Sequence, residues 1–163
     1  MFQGTNPLSE SDWLNNIQQG KNDPSEYYQR AVKIGQKLRS ANGDVTIVGH
    51  SLGGGLGSAA STESGLPATT FNAAGLNVST VARYGGTPVA SDIQAFHVDG
   101  EVLTSVQQSA FLKGKMPAAI GTPYRLPGRG NTLSRHSMSQ VIDGIEAQKQ
   151  QDNATLEGAL NNG

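Results

Sequence analysis

The sequence predicts a one-domain α/β protein with a mostly parallel sheet flanked by helices, and three observations predict it. Short apolar, β-branched runs at Val45–Val48, Ala68–Phe71 and Ile93–Val98 alternate with helix-like segments. The connections between the runs are of crossover length, which suits parallel pairing. A chain of 163 residues is long enough for one core and too short for two ordinary domains. Much of the chain's glycine, 21 residues in all, clusters after position 48 among Ala, Ser and Thr, a mixture that suits close backbone packing around a turn and not a flexible linker.

Taken in order, Met1–Thr5 reads as the end of a strand or the start of a loop. Asp12 is a candidate cap for a short helix holding Trp13, Leu14 and Ile17, broken by Gly20 and the Lys21–Pro24 stretch. Asp23 followed by Pro24 is a helix start, with the aspartate as N-cap and proline at the first helical position. Tyr28, Ala31, Val32, Gly35 and Leu38 then recur at helical spacing until Asn42-Gly43, so a surface helix is expected from Pro24 to Ala41. Val45–Val48 is the best strand signal in the chain. A glycine-rich segment and a second strand at Ala68–Phe71 follow. Ile93–Val98 is the third strand and Pro123–Leu126 a short fourth, with helices expected at Val78–Tyr84 and Val102–Phe111. Met138, Val141, Ile142 and Ile145 form an amphipathic stripe on a last helix from Ser137 to Gln150. The domain is thus read as 1–150, and 151–163 as a polar, frayed tail.

Several function classes drop out. A formal net charge of −1 offers no electrostatic footprint for nucleic acid. With no cysteine there is no disulfide, zinc-thiolate site or cysteine nucleophile. No apolar run approaches the roughly 18 residues of a membrane span. The N-terminus lacks the basic-then-apolar pattern of a signal peptide. A soluble protein is expected, either cytoplasmic or exported by a non-classical route.

The chemistry concentrates at Gly49-His50-Ser51-Leu52-Gly53. This G-x-S-x-G pattern lies directly after a strand and before a helix, the context in which the turn exposes its serine at the carboxyl end of a sheet. The helix that begins there aims unpaired N–H groups and a partial positive charge at the site. The Leu52 N–H is placed to hold the oxyanion of a tetrahedral intermediate. Gly53, Gly54, Gly55 and Gly57 each forgo about 1 kcal/mol of helix propensity. Close helix-to-sheet packing behind the serine, with room for substrate above it, is a sufficient reason. A phosphate-binding loop would need a lysine after the glycines, and none follows.

A serine nucleophile needs a base, and there are three histidines. His50 lies inside the turn and points away from the position a base must occupy. His97, within a strand, reads as structural. His136 stands in a loop before the last helix, as the order Ser, acid, His requires. Asp99-Gly100-Glu101, just after the third strand, offers two carboxylates able to orient that imidazole. Their chemistry alone leaves Asp99 and Glu101 equal. Upstream, Gly4-Thr5 is the candidate second oxyanion loop, with Thr5 as donor.

This constellation resembles the class 3 lipases, a branch of the α/β-hydrolases. Phe2-Gln3-Gly4-Thr5 is similar to their F-x-G-[ST] oxyanion loop, and Val45 to Leu56 to their nucleophile region. Phe71-Asn72-Ala73-Ala74-Gly75 resembles the family's next strand, and Arg135-His136-Ser137-Met138 the histidine loop of bacterial lipase-like proteins, toxin and secretion-effector phospholipases among them. Val98-Asp99-Gly100-Glu101-Val102-Leu103 is similar to V-x-x-G-D-P-V, which aligns Glu101 with the family's acid, while Asp99 keeps its residue type.

The resemblance implies a serine ester hydrolase acting on lipids, a lipase or phospholipase A, with Ser51, His136 and Glu101 or Asp99 as triad. Leu52 and Thr5 would form the oxyanion hole. It implies no metal or cofactor, a lipid ester as substrate, and transient contact with a lipid surface. The family's strands before the oxyanion loop have no counterpart here, so a missing N-terminal segment or a partner is expected at the sheet edge. A non-catalytic lipase-like fragment or interaction domain is the alternative expectation.

Overall fold

Helix α1 (Ser25–Leu38) buries Tyr28, Ala31, Val32 and Gly35, the positions whose spacing marks the segment as amphipathic. In the computed structural model the described residues are Met1 and positions 25–40, 44–103 and 117–161. The expected oxyanion loop with Thr5, the Asp12 helix, the Asp23-Pro24 cap and most of the Val102–Phe111 helix lie outside them.

The strands are β1 (Ile47–His50), β2 (Ala68–Phe71), β3 (Ile93–Val98) and β4 (Thr122–Leu126). They form one sheet in the order β1-β2-β3-β4, and every neighbouring pair is parallel. The α/β architecture read from the alternation of runs is the one observed. β1 starts two residues later than the Val45–Val48 run, because pairing begins at Ile47, opposite Ala68.

Helix α2 (Leu52–Ser64) is buried from Leu52 through Glu63, lying between the sheet and α1. Its glycines answer to both neighbours. A Cβ at Gly54 would come 2.6 Å from Ala73 Cβ, and one at Gly55 would come 2.5 Å from the Tyr28 hydroxyl of α1. The expectation of close packing behind the serine therefore holds, with a helix–helix contact added to the helix–sheet one.

The short α3 (Ser79–Arg83) follows β2, within the expected Val78–Tyr84 segment. On the opposite face α4 (Met138–Asn161) lays Val141 against Val98 of β3 and Leu126 of β4, with Phe71 and Phe96 beside them. The helix is entered through a 3₁₀ turn at Ser134–His136. It runs past Gln150 to Asn161, so the polar segment read as frayed continues the helix, exposed throughout. Six of the eleven residues from Gln151 to Asn161 are Ala, Leu, Glu or Gln, whose helix propensity supports the continuation without a buried face. Among the described residues no helix is long and apolar enough to cross a membrane.

Candidate active site

The turn between β1 and α2 brings Ser51 to the carboxyl edge of the sheet. Ser51 has φ 57 and ψ −127, a left-handed φ that costs a serine on the order of 1–3 kcal/mol. The surroundings hold it there. Its N–H donates to Phe71 O at 3.0 Å, and its carbonyl accepts the N–H groups of Gly54 at 3.0 Å and Ala74 at 2.9 Å. Gly49 is required two residues earlier, since a Cβ there would sit 2.2 Å from Gly53 O.

His136 ends the 3₁₀ turn, in a sequence segment remote from Ser51, and its ring reaches that serine. The His136 Nε2 to Ser51 Oγ distance is 2.9 Å, and His136 Nδ1 lies 2.7 Å from Glu101 Oε2. The same carboxylate oxygen accepts the Leu103 N–H at 2.8 Å. With Glu101 ionised and the ring neutral, Nδ1 carries the proton, because an ionised carboxylate only accepts. Nε2 is then the acceptor, and the serine hydroxyl donates to it. Ser51 and Glu101 are completely buried and His136 is 2% exposed, so these hydrogen bonds lie out of water, where they are stronger.

The two candidate acids part company at one turn. Gly100, at φ 72, reverses the chain after β3 and lets the Glu101 N–H return to Val98 O at 3.1 Å. Glu101 thereby points inward. Asp99 stays outside, its side chain half exposed and 3.7 Å from Arg125. The fold brings Glu101 to His136 and does not bring Asp99 there.

Leu52 is the first residue of α2, so its N–H has no acceptor within the helix. His97 is half-buried in β3, opposite Arg125 of β4. Among the described residues no group of three or more His, Cys, Asp or Glu side chains could hold a metal ion.

Two further contacts carry no role in the sequence reading. His50 donates from Nε2 to the His136 backbone carbonyl at 2.7 Å. Asn72, just after β2, donates its side-chain amide to the carbonyls of Arg135 and His136, each at 3.1 Å. Its Oδ1 accepts the Val98 N–H at 2.9 Å. The available signal was the residue type. Asparagine directly after a strand tolerates a positive φ, and Asn72 has φ 43.

A family model described as a Tle-like phospholipase domain matches residues 1–153. An extracellular phospholipase A1 of Serratia liquefaciens is 32% identical over 171 residues, taking in 91% of this chain and 52% of the relative. The chain thus spans about half the length of the curated relative it matches. Both matches agree with the lipase-like resemblance carried by the sequence motifs.

Proposed function

The chain belongs to the Tle-like phospholipase family, and from that premise we propose that it hydrolyses acyl ester bonds of phospholipids with Ser51 as nucleophile. The observation that carries this reading is the unbroken path from Ser51 Oγ through His136 to Glu101, at 2.9 and 2.7 Å.

In the proposed reaction Ser51 Oγ attacks the ester carbonyl while its proton passes to His136 Nε2. Glu101 keeps the ring in the tautomer that can accept that proton, and balances the imidazolium once it forms. Leu52 N–H stabilises the oxyanion, with Thr5 as the second donor implied by the family resemblance. The tetrahedral intermediate collapses as the imidazolium gives its proton to the departing alcohol, a lysophospholipid. Water, deprotonated by the same histidine, then attacks the acyl-serine; the fatty acid leaves and Ser51 regains its proton. No step calls for a metal or cofactor.

Labelling with a fluorophosphonate probe tests the nucleophile. The wild-type chain is expected to label and Ser51→Ala to be inert, with fatty acid released from phosphatidylcholine vesicles by the first only. A wild-type chain that neither labels nor releases fatty acid would sink the reading.

A further inference from the structure

The turn that follows β2 touches Ser51 and His136 of the proposed triad and the strand end that leads to Glu101. On one side, Phe71 O and Ala74 N hold the backbone of Ser51 at 3.0 and 2.9 Å. On the other, the Asn72 side chain reaches two segments at once. It takes the Val98 N–H at the end of β3, three residues before Glu101, and gives both amide hydrogens to the carbonyls of Arg135 and His136. Its own N–H donates to Phe96 O at 2.8 Å, which pins the turn to β3.

We infer that Asn72 is a positioning residue, the brace that sets His136 and the Glu101 strand end at working distance from Ser51. The inference rests on the catalytic roles proposed above. Among the described residues the partners of the Asn72 side chain are backbone atoms, so the brace fixes where the chain runs and not how one side chain is turned. The amide orientation is dictated by its surroundings. A flipped amide would set its oxygen against two carbonyls and its N–H groups against a donor. His136 O receives a second donor from His50 at 2.7 Å, and His50 immediately precedes Ser51. The base is therefore tied to the nucleophile's own turn and to the turn after the neighbouring strand.

Few residues could fill the position. Asn72 is 1% exposed at φ 43, where most side chains are strained. Glycine would accept the φ but has no side chain to reach the histidine loop. Aspartate would keep shape and φ, yet would face two carbonyl oxygens with an oxygen of its own.

The test compares Asn72→Asp and Asn72→Gly with Glu63→Gln, a substitution at the far end of α2 that touches none of these residues. Fluorophosphonate labelling rate and turnover of a soluble short-chain ester are measured per folded molecule. Both Asn72 variants are expected to label and turn over about 100-fold more slowly, the scale set by a misplacement near 1 Å. The loss should fall on kcat, with KM little changed, and Glu63→Gln should keep the wild-type rate at a lowered Tm. Wild-type rates per folded molecule in both Asn72 variants would overturn the inference, as would an equal loss in Glu63→Gln. A proton NMR spectrum reads the brace without turnover. The Nδ1 proton shared between His136 and Glu101 should give a downfield resonance that persists in Glu63→Gln and is shifted or lost in the Asn72 variants. An inert wild-type chain would thus refute the proposed function, whereas an unmoved resonance in the Asn72 variants would refute the brace.

Discussion

Helix α2 runs between two buried glutamates that have different partners. At its N-terminal end lies the Ser51 cluster with Glu101; near its C-terminal end lies Glu63, 3% exposed. Glu63 Oε1 pairs with Arg39 at 3.2 Å, and its Oε2 accepts the Thr87 N–H at 2.6 Å. Arg39 adds hydrogen bonds to the backbone carbonyls of Glu63 and Thr87, so the ends of α1 and α2 and the loop after α3 close into one knot. Glu101 is equally buried, but its partner is an imidazole. A guanidinium keeps its proton at every ordinary pH, while an imidazole can take one up and give it back. Burial alone therefore does not mark a carboxylate as functional. What sets Glu101 apart, on the proposed function, is a titratable partner within hydrogen-bond reach of Ser51.

The comparison breaks most sharply at Glu101. Glu101→Gln is expected to lower kcat about 10⁴-fold, because an amide neither holds the required tautomer nor balances the imidazolium. Asp99→Asn, which disturbs only an exposed pair with Arg125, should leave ester turnover near wild type. The reverse ranking in a kinetic assay would return the acid to Asp99.

Glu63→Gln should show the opposite profile, full activity per folded molecule and a cost of about 2 kcal/mol, reduced from a fully buried pair because Arg39 is 42% exposed. For a chain of this size that lowers Tm on the order of 6 °C in a calorimetric scan. Unchanged Tm would mean the knot contributes nothing.

Packing along the helices separates the regions more gently. Gly55→Ala gains propensity of about 1 kcal/mol but meets the Tyr28 hydroxyl at 2.5 Å and Ala74 O at 2.9 Å, so a net loss of about 1 kcal/mol is expected. Gly158→Ala, on the exposed end of α4 with nothing within 4 Å of the new Cβ, should stabilise by just under about 1 kcal/mol. Denaturant midpoints of the two variants would measure the contrast.

Tyr28 adds an effect of similar size that depends on pH. Burial pushes its phenol well above the ordinary value near 10, and its hydroxyl donates to Gly75 O at 3.1 Å. The sign follows from linkage. Below pH 10 both folded and unfolded states keep the proton; above it the unfolded chain releases the proton first, so stability falls as pH rises. Tyr28→Phe should lose about 1 kcal/mol at neutral pH and show a shallower decline above pH 10 in urea titrations.

The elbow at Ser51, the strands and the buried face of α1 were legible because each rests on local chemistry. A strained turn needs flanking glycines, a parallel strand needs an apolar run, and a surface helix needs a periodic stripe. His136 was legible through chain order. The far end of α4 is polar and exposed, so it carries no periodic apolar stripe to separate a helix from a frayed tail in the sequence.

By itself, then, the sequence determined the α/β alternation, the serine in its turn and the histidine that follows it late in the chain. Only the tertiary structure shows that Glu101 and not Asp99 lies beside His136, because that depends on a left-handed turn at Gly100 and on where a loop 35 residues later passes. It alone revealed Asn72, whose partners at 98, 135 and 136 meet only when three segments converge. Local propensity is written in neighbours along the chain, whereas the alignment of proton donors and acceptors is set by how distant backbones are held together.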